Sequence, residues 1–531
     1  MNKDTEKAVE PVDSASVQFM TDAPKNGAIS EAIKSNLSNW SILAIGYNTS
    51  SSWIGLAISM TVAIASGGSV TLIYGVIIVY VIMFFVGLTL AELATVYPTA
   101  GGQYHFTSIL APTRWSRSIS YCCGLATAFA WMAQAANICL FIAQNLFAVI
   151  MRWQGTFEPH AWQYFLVFEL VNIVMVIYNI FLTGRMMWLN NLGAVLSLLC
   201  YLILTILCPV ISPSRATSQD VWNSFLNTSG GWPNGIFFLI GLSTPQFSIM
   251  ALDATLHMAE ETSQPKRDIP KAVVATVLIG FFTGFTFVVA LCYSFPNMQD
   301  ALQSPYVPSV HCSKQDRERN LLTRLRRSPI FYILEITLGS PAGATVLLVF
   351  FLYLGFVVLN ATHQTASRVT WAFARDNGLI KSSKLATFHP NLHVPVYALL
   401  VNGLLVGLLG VIYLISSSVF NSLLGSATIV FQFTFAVPAA LLILRRRSAM
   451  YLPTDRYFRL PHFLGYTANF ITVAWAIIIL ILFCFPVSFP VTASNMNYAS
   501  AVLAVMVALG IINWIFYTRK HYQGPRPDSR Y

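Results

Sequence analysis

Charge is what this chain has least of. Only 10% of its 531 residues are Asp, Glu, Lys or Arg, against 56% hydrophobic, and the mean hydropathy is +0.63. A water-soluble domain carries roughly 25% charge, so a large aqueous enzyme core is excluded. Cysteine is nearly absent from polar segments. Seven of the eight (Cys122, Cys123, Cys139, Cys200, Cys208, Cys292 and Cys484) sit inside apolar runs as small packing residues, and only Cys312 lies in a polar loop. That distribution gives no disulfide framework. The nine histidines are scattered, and no HExxH, GxSxG or Walker pattern occurs. An enzyme, a bound metal and an organic cofactor are therefore not expected. Residues 1–38 hold no apolar core, so no cleavable leader is read there. They read instead as part of a disordered cytoplasmic tail, residues 1–39.

What the chain does have is apolar runs near the roughly 20 residues needed to cross a bilayer. Twelve spans are expected, at 40–65, 70–92, 118–150, 161–182, 187–210, 236–259, 272–295, 342–366, 395–415, 420–444, 463–486 and 498–517. The fold class is thus an all-α polytopic membrane protein, with a twelve-helix domain over 40–518 and a short tail at 519–531. The net charge of +10 comes from basic clusters beside the spans, which fits orientation and not nucleic acid. With both termini cytoplasmic, 23 of the 31 Lys and Arg residues fall on the inner side.

Two spans are interrupted. Span 6 opens as an apolar helix, turns small and polar at Ser243, Thr244, Pro245 and Ser248, and then carries Asp253 and His257. Charge at membrane depth is costly and normally faces a protein-lined cavity, and a mid-span proline frees backbone groups that need partners. Span 1 carries Asn48, Thr49, Ser50, Ser51 and Ser52 in succession. Five consecutive polar residues exceed one helical turn, so they cannot all hide on one face. Isolated serines in spans often bond back to their own helix, but paired interrupted helices in matching positions point to a transporter site. No internal repeat is visible in the sequence itself.

Three loops carry a family resemblance: GLTLAELATVYPTAGGQYHFTSILAP at 87–112, HMAEETSQPKRDIPKAV at 257–273 and SRVTWAFARDNGLIKSSKL at 367–385. Together they resemble the signature loops of the amino acid–polyamine–organocation superfamily, and more narrowly the fungal amino acid/choline permeases, which include GABA and choline carriers. The resemblance covers 40–518 apart from 307–327. It implies a leucine-transporter-like fold with 5+5 inverted repeats and broken helices 1 and 6. It also implies secondary active uptake of an amino acid or small amine, such as GABA, choline or a polyamine, commonly coupled to protons. Span 5 has no lysine, which replaces sodium in some relatives, and Gln432 stands where a Ser-Tyr pair is expected, so neither the coupling residue nor the solute follows from the resemblance.

The residues divide into expected roles. Asn48, Thr49, Ser50, Ser51, Ser52, Trp53, Phe247, Ser248, Met250 and Asp253 are the candidate substrate contacts, with Trp131 a further aromatic. Backbone amides at the broken ends would take a carboxylate, exposed carbonyls an ammonium, and aromatic faces a quaternary amine. Asp253 and His257 are the candidates for proton coupling, Asp253 being alternatively a cap of an inner half-helix; Glu169, Asn360 and His363 are lesser candidates. Glu92, Glu261 and Arg368 are expected as gate or structural residues, pairing with opposite charges from other cytoplasmic loops. A sensor of the same fold is the alternative to a carrier, at the plasma or the vacuolar membrane.

Outside the membrane, Asn227 heads a glycosylation sequon. Residues 307–327, VPSVHCSKQDRERNLLTRLRR, place six Lys and Arg in a loop expected outside, against the charge rule. They read as a retained intron or gene-model error, with the chain otherwise running from near Tyr306 to near Ser328. Sequencing of the spliced message should recover it without these codons; a mature transcript that contains them makes the segment a real extracellular loop.

Overall fold

The computed structural model describes residues 38–295 and 329–525, apart from 155, 156, 158, 184–187 and 494. The expected N-terminal tail, the segment 307–327 and the end of the C-terminal tail lie outside the described residues. Eleven helices among them are long and apolar enough to cross a membrane. The first expected span is not one of these because it is two shorter helices, Asn39–Ser50 and Ser52–Ala65, joined at Ser51.

The apolar surface is turned outward. On span 4 (Ala161–Phe181), Leu166, Leu170, Ile173 and Ile177 are each at least half exposed and recur at helical spacing, while Asn172 and Asn179 of the same helix are buried. A water-soluble helix shows the opposite pattern. This is an integral, multi-pass membrane protein, and its polar residues face the interior.

Spans five apart in the chain lie side by side. Span 2 (Ser69–Val96) runs along span 7 (Pro265–Ser294), span 3 (Thr113–Trp153) along span 8 (Pro341–Arg375), span 4 along span 9 (Val396–Ile415), and the two broken spans, 1 and 6, meet each other. Span 10 (Ser417–Leu444) joins span 3 to span 11 (His462–Leu482). Span 5 (Trp188–Ile211) covers the first half of span 1 and span 7. The C-terminal segment is docked: Tyr522 is buried, its hydroxyl bonded to Ser120 at 2.7 Å and its carbonyl accepting from Arg117.

Spans 4, 5 and 8 share a closed ring of buried side chains. Asn179 Nδ2 donates to Asn360 Oδ1 (3.0 Å), Asn360 Nδ2 to Asn190 Oδ1 (2.9 Å) and Asn190 Nδ2 to Gln364 Oε1 (3.3 Å). Gln364 Nε2 then donates to Thr183 Oγ1 (3.5 Å), and Thr183 Oγ1 returns to Asn179 Oδ1 (3.3 Å). Asn48, on the first half of span 1, hooks onto the ring through the Asn190 carbonyl at 2.8 Å.

Span 6 corrects one expectation. Helices Asn234–Gly241 and Ser243–Phe247 lead into a turn, and the inner part, Leu252–Glu261, is a 3₁₀ helix instead of an α half-helix. No α turn precedes it to propagate from, and its polar side chains are held from outside by the loop after span 2. The tighter winding, closed by bonds such as Ala254 N–H to Ala251 O, therefore prevails.

Candidate functional site

The break in span 1 is a single residue. Ser51 has φ 37° and ψ 52°, a left-handed conformation that costs a non-glycine residue energy. Its N–H closes the first helix on Tyr47 O, and its position starts the second helix with no side-chain cap. The amides of the next turn, Ser52 to Ile54, therefore point out of a 14-residue helix with no acceptor behind them. The two broken spans touch at two glycines. A Cβ on Gly55 would stand 2.8 Å from Ser248 Cα, and one on Gly46 would stand 2.6 Å from the Thr255 side chain. Only glycine permits either approach.

A small cavity opens at this junction. Thr49, Ser50, Ser51 and Gly55 of span 1, Phe247 of span 6, Gln134, Asn137 and Phe141 of span 3, and Gly355 and Val358 of span 8 line it, with Ile54, Ile58 and Ile138. None of these residues is charged. Ser50 Oγ and Gln134 Oε1 are buried there without a hydrogen-bond partner. Such polar groups are costly in apolar surroundings, so the site is chemically set up to accept a polar solute. Sequence reasoning missed Gln134 and Asn137. Two amides three residues apart in the alanine-rich run AQAAN are the signal that would have found them.

Other expected contacts lie elsewhere. Trp53 is fully buried, donates to Ser197 Oγ (3.1 Å) and packs edge-on to Phe287 and Phe351. Ser52 faces Gly280 of span 7, and Asn48 bonds Asn190. Ser248 bonds Tyr80 (2.9 Å), and Met250 receives the Thr428 hydroxyl on its sulfur (3.2 Å). Asp253 neither lines the cavity nor caps a helix. Its Oδ2 accepts from Gln103 Nε2 (2.6 Å) and Trp131 Nε1 (3.4 Å), and stands 3.0 Å from His257 Nε2. His363 is buried with neither ring nitrogen bonded, and Glu169 faces Gly407 and Gly410 of span 9.

The charged residues of the loops expected on the cytoplasmic side are paired. Arg368 forks onto Glu261 (2.8 and 3.5 Å), and Arg375 onto Glu260 (2.9 and 3.0 Å), joining span 8 to the end of the 3₁₀ segment. Glu92 belongs to a separate cluster. Fully buried, it takes Arg447 (2.6 Å), Arg456 (2.7 Å) and the Leu460 amide (3.2 Å), so it fastens span 2 to the connection between spans 10 and 11. Arg267 and Lys271 lie over the Tyr457 ring beside it. On the opposite side Asn227 is exposed, its amide nitrogen donating to Trp232 O (2.9 Å) and Asn234 Oδ1 (2.8 Å).

Broken helices around a small polar cavity, in a bundle whose outer face is apolar, define a membrane transport protein. The chain belongs to the amino acid permease family, whose model matches residues 37–509. It is 31% identical over 492 residues to a choline transporter of Saccharomyces cerevisiae, covering 92% of this chain and 83% of that one. It is 28% identical over 491 residues to a swainsonine transporter of Arthroderma benhamiae (91% of each) and 27% identical over 510 residues to an amino-acid permease of Arabidopsis thaliana (93% and 94%). The protein is a permease and not an enzyme.

Removing one partner of a buried ion pair strands the other. Glu92→Ala leaves Arg447 and Arg456 facing each other and should cost about 3–5 kcal/mol, read as a lowered melting temperature in detergent. An unchanged melting temperature would show that the cluster is not structural.

Proposed function

We propose that this permease is a secondary active carrier that imports an amino acid or small organic amine, held at the break of span 1 and driven by the proton gradient. The observation that carries the reading is the uncapped helix start at Ser51 opening onto a cavity with unpartnered Ser50 and Gln134 oxygens. A carboxylate suits the free amides of Ser52 to Ile54, where the helix dipole is positive. An ammonium suits Gln134 Oε1, and a quaternary amine suits the faces of Phe247 and Phe141 on the same wall. The transporter names borne by the relatives agree with this range of solutes.

Adjacent broken spans 1 and 6, with spans 2 and 7, 3 and 8, and 4 and 9 paired in the same way, support a 5+5 inverted repeat. In that arrangement the closed Arg368–Glu261 and Arg375–Glu260 pairs form the cytoplasmic gate, and the substrate is reached from outside. The excess of Lys and Arg near one set of span ends supports cytoplasmic termini. The plasma membrane is the location in which uptake from the medium follows directly.

Radiolabelled amino acids, GABA, choline and polyamines supplied to a permease-deficient host at two pH values should reveal uptake of one class, faster at the acidic pH. Substrate-dependent signalling without uptake would make the protein a sensor instead. Gln134→Leu should raise KM for the transported solute by roughly 10- to 100-fold, the worth of one hydrogen bond to a charged group, without loss of surface expression. An unchanged KM would move the binding site elsewhere.

A further inference from the structure

Asp253 and His257 lie four residues apart on the 3₁₀ segment, outside the cavity lining, and both are fully buried. His257 Nδ1 is 2.8 Å from the carbonyl of Ala100, in the loop after span 2. A carbonyl only accepts, so Nδ1 carries a hydrogen. In neutral imidazole the other nitrogen, Nε2, then bears a lone pair. It stands 3.0 Å from Asp253 Oδ2, which is itself an acceptor, already receiving Gln103 and Trp131. Two lone pairs do not meet at that distance unless a proton lies between them. Whether that proton sits on Nε2 or on Oδ2, the pair holds one more than a carboxylate and a neutral histidine would.

No lysine or arginine among the described residues forms an ion pair with Asp253. Of the spans packed against this segment, span 1 carries no charged side chain, Arg267 and Lys271 of span 7 lie over Tyr457, and the charges of spans 2 and 8 are engaged elsewhere, Glu92 with Arg447 and Arg456, and Arg368 with Glu261. From span 3 the pair meets Trp131, edge-on to His257 at 6.2 Å. Span 10 contributes Phe431 behind Trp131. His363 of span 8 makes no bond to either residue.

Ala100 ties this pair to the gate. Its carbonyl takes His257 Nδ1–H, and its amide donates to Glu260 Oε1 at 3.0 Å, the same oxygen that receives Arg375. One residue of the loop is thus bonded to the pair and to the cytoplasmic ion pair at once. We infer that Asp253 and His257 form the proton-binding site of the carrier, loaded while the Arg375–Glu260 pair is closed and emptied when Ala100 withdraws. Opening the gate removes the acceptor that holds Nδ1–H. The imidazole can then keep a single hydrogen, and the second proton passes to the cytoplasm. The inference rests on the carrier reading above and supplies the residue pair that couples it.

Two substitutions replace the shared proton by a permanent N–H. In Asp253→Asn the new amide donates to Nε2, and in His257→Gln the new amide donates to Asp253, so either closed state forms without an extra proton. The test uses full-length protein in liposomes with radiolabelled amino acids, GABA, choline and polyamines, measuring exchange at equal concentrations and accumulation under an acid-outside gradient, from pH 5 to pH 8. Wild type should do both. The variants, where they elute from gel filtration as wild type does, should keep exchange, lose accumulation and lose the pH dependence. Accumulation by either variant overturns the inference, as does loss of exchange in both well-folded variants, which would place the pair in substrate binding. If wild type exchanges none of these solutes, the carrier reading fails first and takes this one with it.

Discussion

Breaking a helix inside a membrane frees peptide groups that lipid cannot satisfy, and the organisation of this protein follows from where those groups go. Span 1 breaks at one left-handed serine, and span 6 gives way to a turn at the same level. The two breaks lie against each other, because Gly55 lets the backbone of span 1 reach the Ser248 backbone and Gly46 leaves room for the Thr255 side chain. The cavity exists because that contact is close but incomplete. What remains unpaired is a helix start and a few side-chain oxygens, the feature on which the proposed solute site rests.

The two ends of span 6 divide the work. Above the turn, Phe247 belongs to the cavity wall. Below it, ten residues of 3₁₀ helix carry Asp253, His257, Glu260 and Glu261, so the proposed proton site and the proposed gate charges share one rod. A 3₁₀ helix is a less stable winding than an α-helix and is frequent where a segment hinges. Span 8 holds that rod through two arginines at separate acids, while Glu92 holds its own pair of arginines in a separate cluster.

Much of this was legible beforehand, for reasons of scale. Apolar length needs no tertiary information, so most span ends fell within about five residues of the helix ends, while span 7 begins seven residues earlier and span 8 ends nine residues later than expected; five consecutive polar residues marked the break at Ser51. The pairing of Glu261 with Arg368 follows from opposite charges on neighbouring loops. Trp53 was misleading because its position beside the break says nothing about direction, and its indole turns toward Ser197. Gln103 and Ala100 were invisible as partners of Asp253 and His257, since they come from a loop some 150 residues earlier in the chain. No local pattern encodes such a contact. The 3₁₀ winding was missed for the same reason.

The ring of Asn179, Asn360, Asn190, Gln364 and Thr183 runs in one sense, each side chain donating to the next until the circuit closes. Dipoles placed head to tail around a loop cancel. Three helices are therefore held by five polar groups whose combined field at a distance is close to nil. A salt bridge in the same place would leave two opposite unit charges buried between the helices, and with them a field that reaches the neighbouring spans.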